Sequence, residues 1–171
     1  MNGAGQLDTG WGFKIDFDGK NRIGLTDAGR KLIKEMMRRH MLIDTAHMSE
    51  RGLKQTFELA RKAKYYPLFN SHTKFKRLLN KDGKESQGEF LTTDPQIRFS
   101  RETGGLLGLR TGPDEFKSAP VPRPIPISIP GSAQSFAQAV AYAADRGVCF
   151  AIGSDFNGLI NQLAPRPGAR P

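Results

Sequence analysis

The chain has little of several things. It holds one cysteine, Cys149, among 171 residues, so no disulfide can form within it. Cys149 lies in an apolar run, which predicts a buried, inert thiol. No apolar run approaches the roughly 20 residues that span a bilayer, so no membrane segment is expected in this chain. The opening MNGAGQLDTG lacks the charged-then-apolar pattern of a signal peptide, and the compartment is left open. Acidic residues are in the minority, 17 against 26 Lys and Arg, for a net charge of +9. The excess is compatible with an anionic partner, but no dense basic block exists. The tightest runs, Arg61-Lys62-Ala63-Lys64 and Lys74-Phe75-Lys76-Arg77, are short and read as solvated faces. Without aromatic interleaving or a helix-turn-helix pattern, a nucleic-acid role rests on net charge alone and is not expected. With 37% hydrophobic and 25% charged residues, the chain is globular and long enough for one real core.

What is present is organised around three apolar runs that each end on a polar side chain. Met41 to Ala46 leads to His47, Tyr65 leads to His72, and Val148 leads to Asp155. Between them the apolar period is helical. Thr26 is placed to cap a helix to Arg39, Ser49 to cap one to about Lys64, and Asp94 with Pro95 to open one that stops at Gly104. Ser132 caps another that runs to Arg146 and stops at Gly147, with Phe136, Ala139, Val140 and Ala143 on one face. Leu106 to Leu109 is a further short strand. Asn80 to Gly88 reads as a polar surface loop, and Pro113 to Pro130, with six prolines, as an extended connection. Alternating helices and strands predict an α/β fold with a parallel sheet and helices outside. Four strands are too few to close an eight-stranded barrel, which takes about 250 residues.

In such folds ligands sit beyond the carboxyl ends of the strands. His47 and His72 are one strand-to-strand step apart. Neighbouring parallel strands lie roughly 4.8 Å apart, so two imidazoles there can meet one ion, zinc being the natural guest. By spacing alone, a pair of hydrogen-bonded core histidines fits at least as well. Asp155, in GSDFNG, suits proton transfer beside a metal, or equally a cap on the Asn157-Gly158 turn. Asp44 lies three residues before His47, on the other strand face, and reads as a structural partner. His40 reads as a helix-end residue. Arg77, five residues past His72, is the arginine nearest in sequence to a substrate carboxylate, though an exposed helix arginine is the plainer reading.

Four motifs in order, GLTDAGRKLIKEMMRRHMLIDTAHMS, PLFNSH, TDPQIRFSRETGGLLGL and FAIGSDFNG, resemble the membrane (renal-type) dipeptidases. These are zinc peptidases with a TIM-like barrel, related to the amidohydrolases. The resemblance runs from about Gly24 to Gly158. It implies parallel βα units of the C-terminal half of a TIM-type (β/α)8 barrel. It also implies zinc as cofactor, His47 and His72 as ligands of the family's second zinc, and Asp155 as the aspartate that handles the proton in attack on the peptide carbonyl. The implied reaction is dipeptide hydrolysis, a range that takes in D-residues at the C-terminal position and cyclic-amide analogues.

The departures are specific. The family's upstream His-x-Asp and its bridging Glu are missing: the chain has three histidines and no His-x-Asp. Asn157 replaces the last aspartate of SDFDG. The stretch expected to hold the carboxylate-binding arginine has none, so no substrate residue is assigned. The polar insertion and the proline-rich loop are longer than in the renal-type enzymes. The expected organisation is a loop segment over 1–24, a partial barrel over 25–158 and an unstructured tail over 159–171. The expected partners are a dipeptide and a missing N-terminal half-barrel or a second copy of the chain. The alternative is a non-catalytic module derived from a dipeptidase barrel.

Overall fold

The computed structural model describes residues 7–8, 14–17, 19–81, 84–85, 88–112, 124–127, 129–159 and 162–164. The elements in chain order are β1 (Leu7–Asp8), β2 (Lys14–Ile15), α1 (Asp27–Arg38), α2 (Glu50–Lys62), β3 (Phe69–Thr73), a 3-10 turn (Lys76–Leu78), β4 (Asn80–Lys81), β5 (Lys84–Glu85), α3 (Asp94–Thr103), β6 (Leu106–Leu109), α4 (Ala133–Asp145) and β7 (Cys149–Ile152).

β3, β6 and β7 form a parallel sheet in that order. Ahead of it, Asp44 bridges to Phe69 in parallel, held by Thr45 N donating to Phe69 O and Phe69 N donating to Ile43 O. The strands therefore stand side by side in chain order. A barrel wall is built this way, and a doubly wound sheet, whose strand order reverses at a switch point, is not.

The caps explain where the helices start. The side chains of Thr26, Ser49 and Ser132 accept from Gly29 N, Gly52 N and Gln134 N, so orphan donors at the starts of α1, α2 and α4 are satisfied. α3 differs by one residue from the expected Asp94 cap. Thr93 is the N-cap, in a reciprocal capping box with Gln96, while Asp94 and Pro95 open the first turn. Gly104, in left-handed backbone, closes it.

Two apolar clusters hold the layers together. One packs Ile33, Met37, Ile43, Ala60, Leu68 and Phe99 under α1 and α2, with Phe57 stacked on Phe99 at 4.2 Å. The other sets Phe75, Leu78, Ile97, Leu107, Leu109, Tyr142 and Val148 between β6 and helices α3 and α4. Tyr142 is sealed there, its hydroxyl donating to Asp94 Oδ1 at 2.5 Å with the Arg146 guanidinium over its ring. Burial, then the hydrogen bond to Asp94, pushes the Tyr142 phenol well above its ordinary value.

Several expectations are corrected. Met41 to Ala46 is not a buried strand: it pairs through the Asp44 bridge alone, and Met41 and Leu42 are exposed. No second strand is paired with it among the described residues, so only Ile43 and Thr45 turn inward. β3 begins four residues later than the expected Tyr65. Lys64 and Tyr65 both adopt left-handed backbone on leaving α2, and Pro67 has no N–H to give a ladder. The polar stretch after Asn80 contains an antiparallel pair, β4 with β5. Its signal was Asp82-Gly83, a strong hairpin dipeptide. Cys149 is exposed, not buried, because β7 has a sheet neighbour on one side only among the described strands. Of the proline-rich connection, 113–123 and 128 lie outside the described residues, and 124–127 carry no regular structure. The expected strand near Trp11 is seen as Lys14–Ile15, with 11–13 outside the described residues.

Candidate metal-binding site at the carboxyl ends of the strands

The three polar strand ends converge. His47 Nε2 and His72 Nε2 lie 2.7 Å apart, and His72 Nε2 is 3.9 Å from Asp155 Oδ1. None of the three is deeply enclosed: the whole His47 residue is exposed, and the His72 and Asp155 side chains keep 18% and 19% of their surface.

Each is delivered by a local irregularity. Between Asn70 and Thr73 on β3 and Leu107 and Leu109 on β6 the register slips by one residue. That bulge at Ser71 and His72 re-aims the imidazole, as bulges beside sites commonly do. The close approach depends on two glycines. A Cβ at Gly108 or at Gly153 would fall well inside contact distance of the Ser71 carbonyl oxygen. His47 and Asp155 both sit in left-handed backbone, at φ 60° and 52°. Such conformations cost of order 1 kcal/mol or more and gather at functional sites. His47 is thus presented from a turn just past the Asp44 bridge, and Asp155 from three residues beyond β7.

A polar chain behind His72 fixes its orientation. Ser71 Oγ meets His72 Nδ1 at 2.8 Å, leaving Nε2 to face His47. Asp44 Oδ1 accepts from Ser71 N and from Ala46 N, both at 3.0 Å. Partial burial works to raise the Asp44 pKa. The Ser71 side chain, the two backbone N–H groups and the charge of His72 outweigh it and hold Asp44 below the usual carboxylate range. Asp44 is therefore the structural partner that its strand position suggests.

The sequence reading missed a fourth residue. Arg110 follows β6 by one position, and its Nε lies 3.3 Å from Asp155 Oδ2. The rule that singled out the two histidines and Asp155, a polar residue at the end of an apolar strand, applies equally to Leu106-Leu107-Gly108-Leu109-Arg110. Arg77 lies elsewhere: it is exposed, and lines a groove of about 610 Å³ between α2 and the start of α3 with Lys54, Arg61, Lys76 and Asp94. That groove is the larger cavity, but none of the converging residues lines it. The cleft that His47 does line is about 320 Å³, with Ile15, Met48, Glu89 and Phe90 around it.

The donor set fits a metal in kind. Two imidazole nitrogens facing one another at 2.7 Å can share an ion about 2.0 to 2.1 Å from each, and a histidine ligand ordinarily anchors its other nitrogen as His72 does. It does not fill a coordination shell, since no group of three His, Cys, Asp or Glu is so placed among the described residues.

The profile of the membrane dipeptidase family (Peptidase family M19) matches residues 6–163. The chain belongs to this family. Among solved structures, a metallo peptidase from Rhodobacter sphaeroides, liganded with a phosphinate mimic of the dipeptide L-Ala-D-Ala, superposes with a TM-score of 0.60 at 24% identity, covering 85% of this chain and 38% of that one. The probable dipeptidase PvdM from Pseudomonas aeruginosa gives 0.62 at 16% identity, covering 83% and 46%. A protein of the PQQ-III 3′ region of Acinetobacter calcoaceticus is 29% identical over 86 residues, half of this chain and 24% of its own length. The chain thus spans less than half the length of these relatives. No described helix is long and apolar enough to cross a membrane.

Proposed function

We propose that this chain carries one side of a zinc dipeptidase site, with His47 and His72 as zinc ligands and Asp155 as the proton-handling group. The observation that carries the reading is the meeting of His47 Nε2 and His72 Nε2 at 2.7 Å, with Asp155 beside them. Membership of a peptidase family supports it, as does likeness to chains described as metallo peptidases. Zinc bound there supplies Lewis-acid polarisation of a peptide carbonyl and a nucleophilic water at neutral pH. The residues of the chain do the rest. The Asp44–Ser71 relay holds the His72 tautomer, and the left-handed turn at His47 aims its ring at the same point. Asp155 takes a proton during attack and returns it to the leaving amine, one of its oxygens facing His72 and the other Arg110.

The two histidines supply half of the four ligands that zinc usually takes. We place the remaining ligands on a second half-barrel that carries the His-x-Asp motif and the bridging Glu, whether in the same polypeptide or in another. Its docking would also cover the exposed apolar residues at the two sheet ends, Met41 and Leu42 on one side and Phe150 and Ile152 on the other. Dipeptide hydrolysis is expected only with that half present. The second reading, a non-catalytic module derived from the same barrel, is favoured by the incomplete donor set and by Asn157 in place of the motif's last aspartate.

Elemental analysis after zinc loading separates the two. Close to one zinc per chain, lost in His47→Ala, is the expected result. No zinc above the variant's level would leave the non-catalytic reading.

A further inference from the structure

The two densest basic runs read in sequence as separate solvated faces, yet the fold brings them to one groove. Lys54 and, two turns later, Arg61 stand on α2, while Lys76 and Arg77 stand on the 3-10 turn after β3. All four line the groove of about 610 Å³ between α2 and the start of α3. The two carboxylates in its lining are already held. Glu50 pairs with Lys20 at 2.7 Å, and Asp94 accepts from the Tyr142 hydroxyl and lies beside Arg146. Lys54, Arg61 and Lys76 enter no ion pair among the described residues. Part of the excess positive charge is thus gathered in a concave site, where low-dielectric walls focus its field. Between the cations the lining is apolar, from Leu53, Phe57 and Pro95.

We propose that this groove binds an extended acidic segment of a partner protein, with carboxylates on the two cationic walls and apolar side chains between them. The dimensions fit such a segment. The α2 wall runs from Glu50 to Arg61, which at 1.5 Å per residue is about 16 Å. An extended chain advances about 3.3 Å per residue, so about five residues fill that length. Clusters of cations that read acidic motifs are a recurring mode of peptide recognition.

Other anionic partners fit less well. A flat membrane surface would not reach Lys76, which is half-buried. A small anion would leave Leu53 and Phe57 without a use. Neither zinc nor a second half-barrel is needed. α2 follows the Asp44 bridge and α3 follows β3, so both walls belong to neighbouring strands of this chain. The exposed residues at the sheet ends, Met41, Leu42, Phe150 and Ile152, do not line the groove.

Fluorescence anisotropy tests this, with a dye-labelled pentapeptide of alternating glutamate and leucine titrated with the chain at low salt. Saturable binding is expected, weakening as salt is raised. It should be about tenfold tighter than binding of the glutamine counterpart, the scale of a few exposed charge pairs together. Lys54→Glu on one wall and Lys76→Glu on the other should each weaken it about fivefold. Lys54→Arg and Lys76→Arg keep the charge and should keep the affinity, which guards against misfolding in the reversals. Lys31→Glu, on α1 and outside the groove, makes the same change in net charge and should alter binding by less than about twofold. No saturable binding, equal affinity for the glutamine peptide, or a loss on one wall only would overturn the proposal. So would a loss in the arginine variants, or in Lys31→Glu a loss equal to that of the groove reversals. Displacement of the peptide by an equal concentration of inorganic tripolyphosphate would overturn it in favour of a small-anion site.

Discussion

β6 and β7 are neighbours in one sheet and are made of similar residues, yet they fare differently. Leu107 and Leu109 on β6 pair in register with Phe150 and Ile152 on β7, so the four share one face. The first two are 2% and 1% exposed, the second two 37% and 74%. Apolar content does not separate them. What does is coverage. α3 and α4 close over β6 and trap Tyr142 and Ile97 against it, whereas no helix follows β7 among the described residues. Burial in a βα architecture is conferred by the element that comes next, and a strand's own sequence only makes it eligible.

The sharpest way to break that comparison is paired truncation. Leu107→Ala should lower stability by about 2–5 kcal/mol, the range for emptying a packed site. Phe150→Ala should stay near the surface range of about 0.5 kcal/mol. Denaturant midpoints measured at constant m-value check this, and equal losses would refute the coverage argument. If a second half-barrel is supplied, the Phe150→Ala penalty should rise toward the Leu107→Ala one.

The seam between the strands comes next. Gly108→Ala pushes a Cβ at the Ser71 carbonyl, an overpacking worth about 1–3 kcal/mol. Because Ser71 precedes His72 and contacts its ring, the same variant should lose zinc. Unfolding and zinc content measured on one sample decide it. Full zinc in a destabilised protein would mean that the bulge does not set the His72 position.

On the covered side, Tyr142→Phe removes the hydrogen bond to Asp94 and should cost about 1 kcal/mol at neutral pH. Its pH dependence has two signs. Burial works to raise the Asp94 pKa, but the bonds from Tyr142 and Arg146 outweigh it and hold the group below 3.8. That contribution is present above pH 3.8 and fades as pH falls through the lowered value. The Tyr142 pKa is raised above 10.0, first by burial and then by Asp94. Its contribution is whole below pH 10 and is lost as pH climbs toward the raised value. The gap between wild type and variant should thus be widest between about pH 4 and pH 10 and close at both ends. A gap that does not vary with pH would disprove the pairing.

The smallest effect is expected on the outer face of α1. Hydrogen bonds from Arg38 and Arg39 hold the Glu35 carboxyl at about 2. Glu35→Gln should nonetheless leave the unfolding midpoint unchanged, since the cluster is open to solvent and screened.

Much of this was legible in the sequence, for a stated reason. Thr26, Ser49 and Ser132 announced their helices because a cap needs only groups two or three residues away. Leu106 to Leu109 announced β6 because apolar side chains there met the cover they called for. The meeting of His47, His72 and Asp155 followed from the strand-end rule, since that rule depends on topology. Where reading failed, the deciding group was distant. Cys149 reads as buried and is exposed because no described strand flanks the far side of β7. Met41 to Ala46 reads as a strand and pairs through one bridge because the strand that would flank it is not among those described. Arg110 passed unseen because charge at the end of a short strand looks like surface until Asp155, 45 residues on, is found beside it.

Cys149 has one more consequence. It is the only thiol in the chain and it stands exposed on β7, at the edge of the described sheet. An alkylating reagent therefore samples a single position, and its rate follows the accessibility of that edge. The free chain should label promptly, and anything that zips onto β7 should slow the labelling in proportion to its occupancy. The molecule carries its own footprinting probe at the outer edge of the described sheet, with no residue to be engineered.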